Sequence, residues 1–148
     1  MDAIDRKILA ALQLDGRLTV TDLAQHIGLS AAPCHRRLRE LERTGVIRGY
    51  RAVIDGAAVG HGFEVHLAIT MDAEASVEAF EAGLSEIPEV VHADRLFGEP
   101  DYFVRVMTAD IESFQHLRDS KLSRLPGVQR LVSTIVMKKV VDNRPLPT

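Results

Sequence analysis

Residues 19–45, TVTDLAQHIGLSAAPCHRRLRELERTG, constrain this chain more than any other stretch. They read as two helices joined by a tight turn. Val20, Leu23, Ala24 and Ile27 recur at i, i+3, i+4 and i+7, one face of a helix. Thr19 with Asp22 three residues on resembles a capping box and starts that helix. Gly28 can take the left-handed conformation that ends it sharply. Leu29 then plugs the space between the helices, and Ser30 is a good N-cap for the next one. Pro33 falls in the first turn, where its missing N–H costs nothing. Cys34, Leu38 and Leu41 form the inward face of this second helix, and His35, Arg36, Arg39 and Arg43 lie largely on the opposite side. A thin buried seam with arginines outward suits the helix of a helix-turn-helix that enters the DNA major groove. Plain helical bundles contain such pairs too, and an Arg-rich face can simply be solvated, so the charge balance has to be weighed with it.

The chain has 148 residues, a net charge of −3 and 46% hydrophobic residues, enough for one ordinary globular domain or two small ones. Its charge is unevenly divided. Residues 1–54 hold nine Lys/Arg against six Asp/Glu, whereas 55–148 hold nine against fifteen. A basic first third on an acidic remainder suggests that only the first part meets nucleic acid. The single cysteine, Cys34, excludes an internal disulfide framework or a cysteine zinc cluster, and its inward position marks it as a small buried hydrophobe. No metal ligand set or cofactor motif is visible. No apolar run is long enough to span a membrane and no signal-peptide core opens the sequence, so the expected location is the cytoplasm.

Before the pair, residues 2–14 form a first helix, with Asp2 and Asp5 in its first turn and Ile4, Ile8, Ala11 and Leu12 on its apolar face. After it, Gly45 ends the second helix of the pair. Val46–Ile54 then reads as a strand pair or short basic ribbon, which makes the motif a winged helix-turn-helix over 1–54. Arg48 and Arg51 on that ribbon can rest on phosphates. Residues 55–62, with three glycines in eight positions, read as a hinge.

The remainder, 63–148, opens with strict alternation: Phe63, Val65, Leu67, Ile69 and Met71 face one way, which is a half-buried strand. A helix is expected over 74–87, strands over 90–97 and 102–108, and a second helix capped by Asp110 with Ile111, Phe114, Leu117 and Leu125 inward. The last strand is expected over 128–140, covered on both faces because its apolar residues fall on both parities. Ile87-Pro88-Glu89-Val90 and Leu125-Pro126-Gly127-Val128 close a helix and open a strand in the same way. The order βαββαβ makes a ferredoxin-like α+β sandwich with both helices on one sheet face. A second copy of the chain is the simplest cover for the other face, and such a homodimer places two reading helices on half-sites about one duplex turn apart.

Taken together the motifs resemble the Lrp/AsnC, or feast/famine, family of regulators over nearly the whole chain. They are Ile4-Asp5-Arg6-Lys7-Ile8-Leu9, Gly28-Leu29-Ser30, Arg37–Gly45 running into Val46-Ile47, Gly98-x-x-Asp101-Tyr102, Leu125-Pro126-Gly127-Val128 and Ile135-Val136-Met137. The resemblance implies a transcriptional regulator that binds a palindromic duplex operator, dimerises, and often assembles to octamers. It also implies a small effector, usually an amino acid, held by the Gly98–Tyr102 turn and the last strand around Ser133. Asp101 can receive an α-ammonium group and Ser133 a carboxylate, although Gly98 and Asp101 are also ordinary turn residues.

Two positions depart from the family pattern: Phe97 stands where many relatives carry a small hydroxyl residue, and Ala31-Ala32 replaces Pro-Thr/Ser. On this basis Ser30, His35, Arg36, Arg37, Arg39, Arg43, Arg48 and Arg51 are the candidate DNA-binding residues. Of these, Arg37 sits to the side, where it can equally pair with an acidic neighbour. Phe97, Gly98, Asp101, Tyr102 and Ser133 are the candidate effector residues. Two alternatives remain: an effector-independent architectural DNA-binding protein, and a tetrapyrrole decarboxylase of the same architecture. The decarboxylase would need His61, His66, His92 and His116, which are dispersed in the sequence.

Overall fold

The computed structural model describes residues 1–148. The chain falls into two compact units, 1–53 with 140–148, and 54–139. This differs from the expected division at 1–54, 55–62 and 63–148 in two ways. Residues 140–148 belong with the first unit, and 55–62 belong with the second. The glycine-rich stretch is folded, with Ala57–Val59 forming a 3-10 turn and the His61 N–H donating to the Gly56 carbonyl at 2.7 Å. A Cβ on Gly56 would lie 2.7 Å from the His61 carbonyl oxygen, so glycine serves close packing here.

The first unit holds α1 (Ala3–Leu14), α2 (Val20–Ile27) and α3 (Ala31–Arg43). Asp2 caps α1 in a complete capping box with Asp5: its Oδ1 accepts the Ile4 and Asp5 N–H groups, and Asp5 Oδ2 accepts the Asp2 N–H, each at 2.9 Å. Thr19 Oγ1 accepts the Asp22 N–H at 3.1 Å, but the return bond runs from the Thr19 hydroxyl to Asp22 Oδ2, so this is half a box. Gly28 ends α2 at φ +74°. Ile8, Leu23, Ala24, Ile27, Cys34 and Leu41 are buried between the helices, with Leu29 and Leu38 packed against them. Burial pushes the Cys34 thiol up, as for a packing residue. Residues 46–54 carry no strand ladder, in contrast to the expected ribbon. They are held instead by the Ile47 N–H on the Leu41 carbonyl at 3.0 Å and by the Tyr50 hydroxyl on Glu42 at 3.1 Å.

The second unit runs β1 (Phe63–Met71), α4 (Val77–Ser85), β2 (Val90–Arg95), β3 (Tyr102–Thr108), α5 (Ile111–Ser120) and β4 (Val128–Ile135). The strands form one antiparallel sheet in the order β2-β3-β1-β4, the βαββαβ sandwich expected. Val65, Leu67 and Ile69 of β1 and Val104 and Val106 of β3 are fully buried against Phe80, Leu84, Phe114 and Leu117 of the helices. Leu122, on the 3-10 turn after α5, joins this core, while Ile111 is exposed.

The last strand departs most from expectation. It stops at Ile135 and lies at the sheet edge, with Val132 at 40% and Ile135 at 50% exposure. Its two-sided apolar pattern is real, but this chain does not itself cover it. On the outer sheet face the register lines up one cross-strand row, Phe103–Ala68–Val132.

Candidate functional site

α3 sorts its cations into two kinds. Arg37 Nη1 contacts Asp2 Oδ2 at 2.7 Å and Asp5 Oδ1 at 2.8 Å. Asp5 and Asp2 hold the guanidinium above its ordinary pKa, while backbone bonding from Asp5 and then Arg37 holds the Asp2 carboxyl below its own. The same two carboxylates that cap α1 therefore fasten α3 to it. This assigns Arg37, among the candidate DNA contacts, the orienting pair rather than an open position. Arg36, its neighbour, is exposed and carries no ion pair. Arg39 Nε donates weakly to His35 Nε2 at 3.4 Å, and both side chains stay exposed. Arg43 Nε is bonded to Glu40 Oε2 at 2.9 Å, which lowers the Glu40 carboxyl and leaves less free charge than expected at the end of α3. Arg48 and Arg51 are exposed. Ser30 is the N-cap residue by position, but its hydroxyl caps nothing, so it stays available to another acceptor or donor.

The effector candidates are not gathered in one chain. Tyr102 pairs with Ile69 and Ile69 with Leu131, whereas Ser133 pairs with Leu67, two residues further from the turn. With β1 between β3 and β4, roughly 10 Å of sheet separates the turn from the serine strand. Asp101 Oδ2 accepts the Met71 N–H at 2.7 Å, tying the turn to the end of β1. Tyr102 is 3% exposed and its hydroxyl donates to Glu81 Oε1 at 2.7 Å. Burial and then Glu81 push it up to about 12. Its ring lies tilted at 47° against Phe80, at 4.6 Å between centroids, so in this chain the expected effector residue packs in the core. Gly98 has φ +140°, a conformation that disfavours other residues.

One cluster was not anticipated. Glu64, only 8% exposed, has Lys139 Nζ at 2.8 Å, His66 Nε2 at 3.2 Å and Arg105 Nε at 3.9 Å. Burial pushes its carboxyl up, but Lys139, His66 and Arg105 outweigh that and hold it below the ordinary range. A lone glutamate among alternating residues gave no sequence signal of partners far along the chain.

Residues 64–146 match the Lrp/AsnC ligand binding domain, and residues 1–48 match a winged helix-turn-helix DNA-binding domain. The chain belongs to the Lrp/AsnC family. A leucine-responsive regulatory protein of Rhizobium meliloti is 36% identical over 144 residues, 96% of this chain and 92% of that protein. A proline dehydrogenase transcriptional activator of Rhodobacter capsulatus is also 36% identical, over 96% of this chain and 94% of its own. Among solved structures, a transcriptional regulator of Neisseria meningitidis in complex with L-methionine superposes with a TM-score of 0.94 at 34% identity, covering 99% of this chain and 96% of that one.

As an Lrp/AsnC chain this one keeps its two departures in view. Phe97 projects wholly into solvent at 110% relative exposure, so it fills no cleft of its own chain. Ala31 and Ala32 are exposed at the start of α3. The histidines do not converge. His66 and His92 each pair across strands with Arg105, which lies between them. His92 is 2.8 Å from Asp94, and no group of three or more His, Cys, Asp or Glu side chains is placed to hold a metal. The named relatives are regulators, not enzymes.

Proposed function

We propose that this protein is a sequence-specific DNA-binding transcriptional regulator whose DNA binding or assembly responds to a small effector, an amino acid. One observation carries the reading: α3 is fastened from behind by Arg37 on Asp2 and Asp5, while the unpaired Arg36 faces outward. A rigidly held helix can place an arginine fork on a guanine edge, which is base readout. His35 and Arg39 flank it in the groove. Ser30, Arg43, Arg48 and Arg51 supply phosphate contacts that carry no sequence information.

The effector site takes the Gly98–Asp101 turn from one copy and β4 around Ser133 from another, since one chain holds them apart. The L-methionine bound to the Neisseria regulator supports an amino acid as the ligand class. The uncovered row Phe103–Ala68–Val132 supports a homodimer, which brings two α3 helices to a palindromic site, and further assembly to an octamer. The protein works in the cytoplasm, and no helix is long and apolar enough to cross a membrane.

The test has two steps. DNA sites are selected from a random pool, and the standard L-amino acids are screened by thermal shift. Enrichment of a palindrome, with an amino acid that stabilises the protein and changes its affinity for that site, is the expected result, because an effector must bind two states differently. Binding without sequence preference, or a selected site indifferent to every amino acid, favours the architectural alternative.

A further inference from the structure

The chain passes between its two units twice, after Val53 and after Lys139. The second passage is the unexpected one. Residues 140–148 return to the DNA-binding unit, where Gln13 holds Leu146 by its main chain. The Leu146 N–H donates to Gln13 Oε1 at 2.6 Å, and Gln13 Nε2 donates to the Leu146 carbonyl at 3.1 Å. A carboxamide that satisfies both backbone groups of one residue recognises an extended peptide by its main chain, as a neighbouring strand does. Leu146 and Thr148 line a groove of about 680 Å³ with Leu9 and Leu12 of α1 and Ile47 and Tyr50 beyond α3. Leu146 itself is 74% exposed, so its side chain adds little to the two hydrogen bonds.

At the other end of the segment, Lys139 is anchored on Glu64 at 2.8 Å, at the start of β1. The segment is thus pinned at both ends, to β1 of one unit and to α1 of the other. β4, the strand that carries Ser133, runs into it within a few residues.

We propose that residues 140–148 are a second tether, docked through Gln13, by which the ligand-binding unit restrains the DNA-binding unit of the same chain. Its regulatory consequence rests on the function proposed above, but the docking does not. A flexible single linkage leaves the DNA-binding unit a wide range of positions. A second linkage narrows that range and raises the effective concentration of the free α3 for its half-site once the other is engaged.

Hydrogen exchange on the full chain tests the docking. The Leu146 amide is expected to exchange on the order of tenfold or more slowly than in a free peptide, and to lose that protection in Gln13→Ala while Val104 and Val106 keep theirs. Leu146 exchanging at the free-peptide rate in the unaltered protein overturns the proposal. A thiol-reactive cross-linker of short span joining Val46→Cys to Leu146→Cys, two positions that line the same groove, leaves Gln13 in place and, in a Cys34→Ala background, identifies whose tail is bound. A single 16.3 kDa chain whose two cysteines are joined by one cross-linker, read by peptide mapping, supports the tether. A product of twice that mass shows that the tail docks on a second copy, and no product shows that it does not dock. Both outcomes overturn the proposal.

For DNA, Gln13→Ala and truncation after Lys139 are both expected to weaken binding to a two-half-site palindrome by roughly tenfold and to a single half-site by less than twofold. Equal loss on both sites overturns the restraint. An unaltered protein that binds no DNA overturns the proposed function and leaves the exchange result standing.

Discussion

The DNA-binding unit and the ligand-binding unit build their candidate sites in opposite ways. The first collects its candidate readers within two turns of one helix and locks that helix with an ion pair from the neighbouring one, so a single chain completes the surface. The second spreads its candidates over a turn and an edge strand that β1 holds apart. A surface that reads a rod-shaped polymer needs one rigid ridge. A pocket that encloses a small molecule needs walls on several sides, and a ligand seated between copies can bear on how they assemble.

The largest effect that sharpens this contrast is in the core of the second unit. Leu67→Ala is expected to cost about 2–5 kcal/mol and to collapse amide protection in β1 and β3, while Leu23 and Ile27 in α2 keep theirs. Simultaneous loss in both units would show one cooperative block. Next, Arg36→Ala is expected to lose about 1–3 kcal/mol of discrimination at one base position, whereas Arg48→Ala weakens selected and random DNA alike. Competition binding against random duplex separates the two, and equal loss on both DNAs for Arg36→Ala removes it as a base reader.

Smaller effects follow from titration. Tyr102 is raised from its ordinary value of 10 to about 12, so its contribution is full below pH 10 and is lost as pH rises between those values. Tyr102→Phe flattens that alkaline limb at a cost of about 1 kcal/mol for the Glu81 bond. Glu64 is depressed below its ordinary 4.5, so its contribution is present above that value and lost as pH falls through the lower folded-state one. Glu64→Gln should flatten the acid limb of a melting-temperature profile and leave the alkaline limb unchanged.

The units also differ in how much of them could be read from sequence. The helix pair was legible because periodicity, Gly28 and the outward arginines are local. The βαββαβ order was legible because alternation in β1 and the two Pro-containing helix-to-strand junctions are local too. What escaped was non-local. The sequence leaves Arg37 between two roles because its partners lie 32 and 35 residues away. The return of 140–148 to Gln13 spans 133 residues. Tyr102 reads as a ligand residue in the motif, yet Phe80 and Glu81, on a helix between strands, claim it for the core. The apolar residues of β4 predict a strand covered on both faces, but in this chain Val132 and Ile135 stay exposed at the sheet edge.

Complementation between two variants tests the contrast most directly. Asp101→Asn keeps an oxygen for the Met71 N–H and removes the charge; Ser133→Ala removes the strand hydroxyl. Each homo-oligomer should lose the stabilisation that the effector gives the unaltered protein. Co-expressed, a mixed dimer has one site with both changes and one with neither, so part of the effector response should return, up to half in the mixed dimers. Two folded, assembled variants whose mixture regains nothing would show that each ligand site is made within a single chain, and the account of the ligand-binding unit would be wrong.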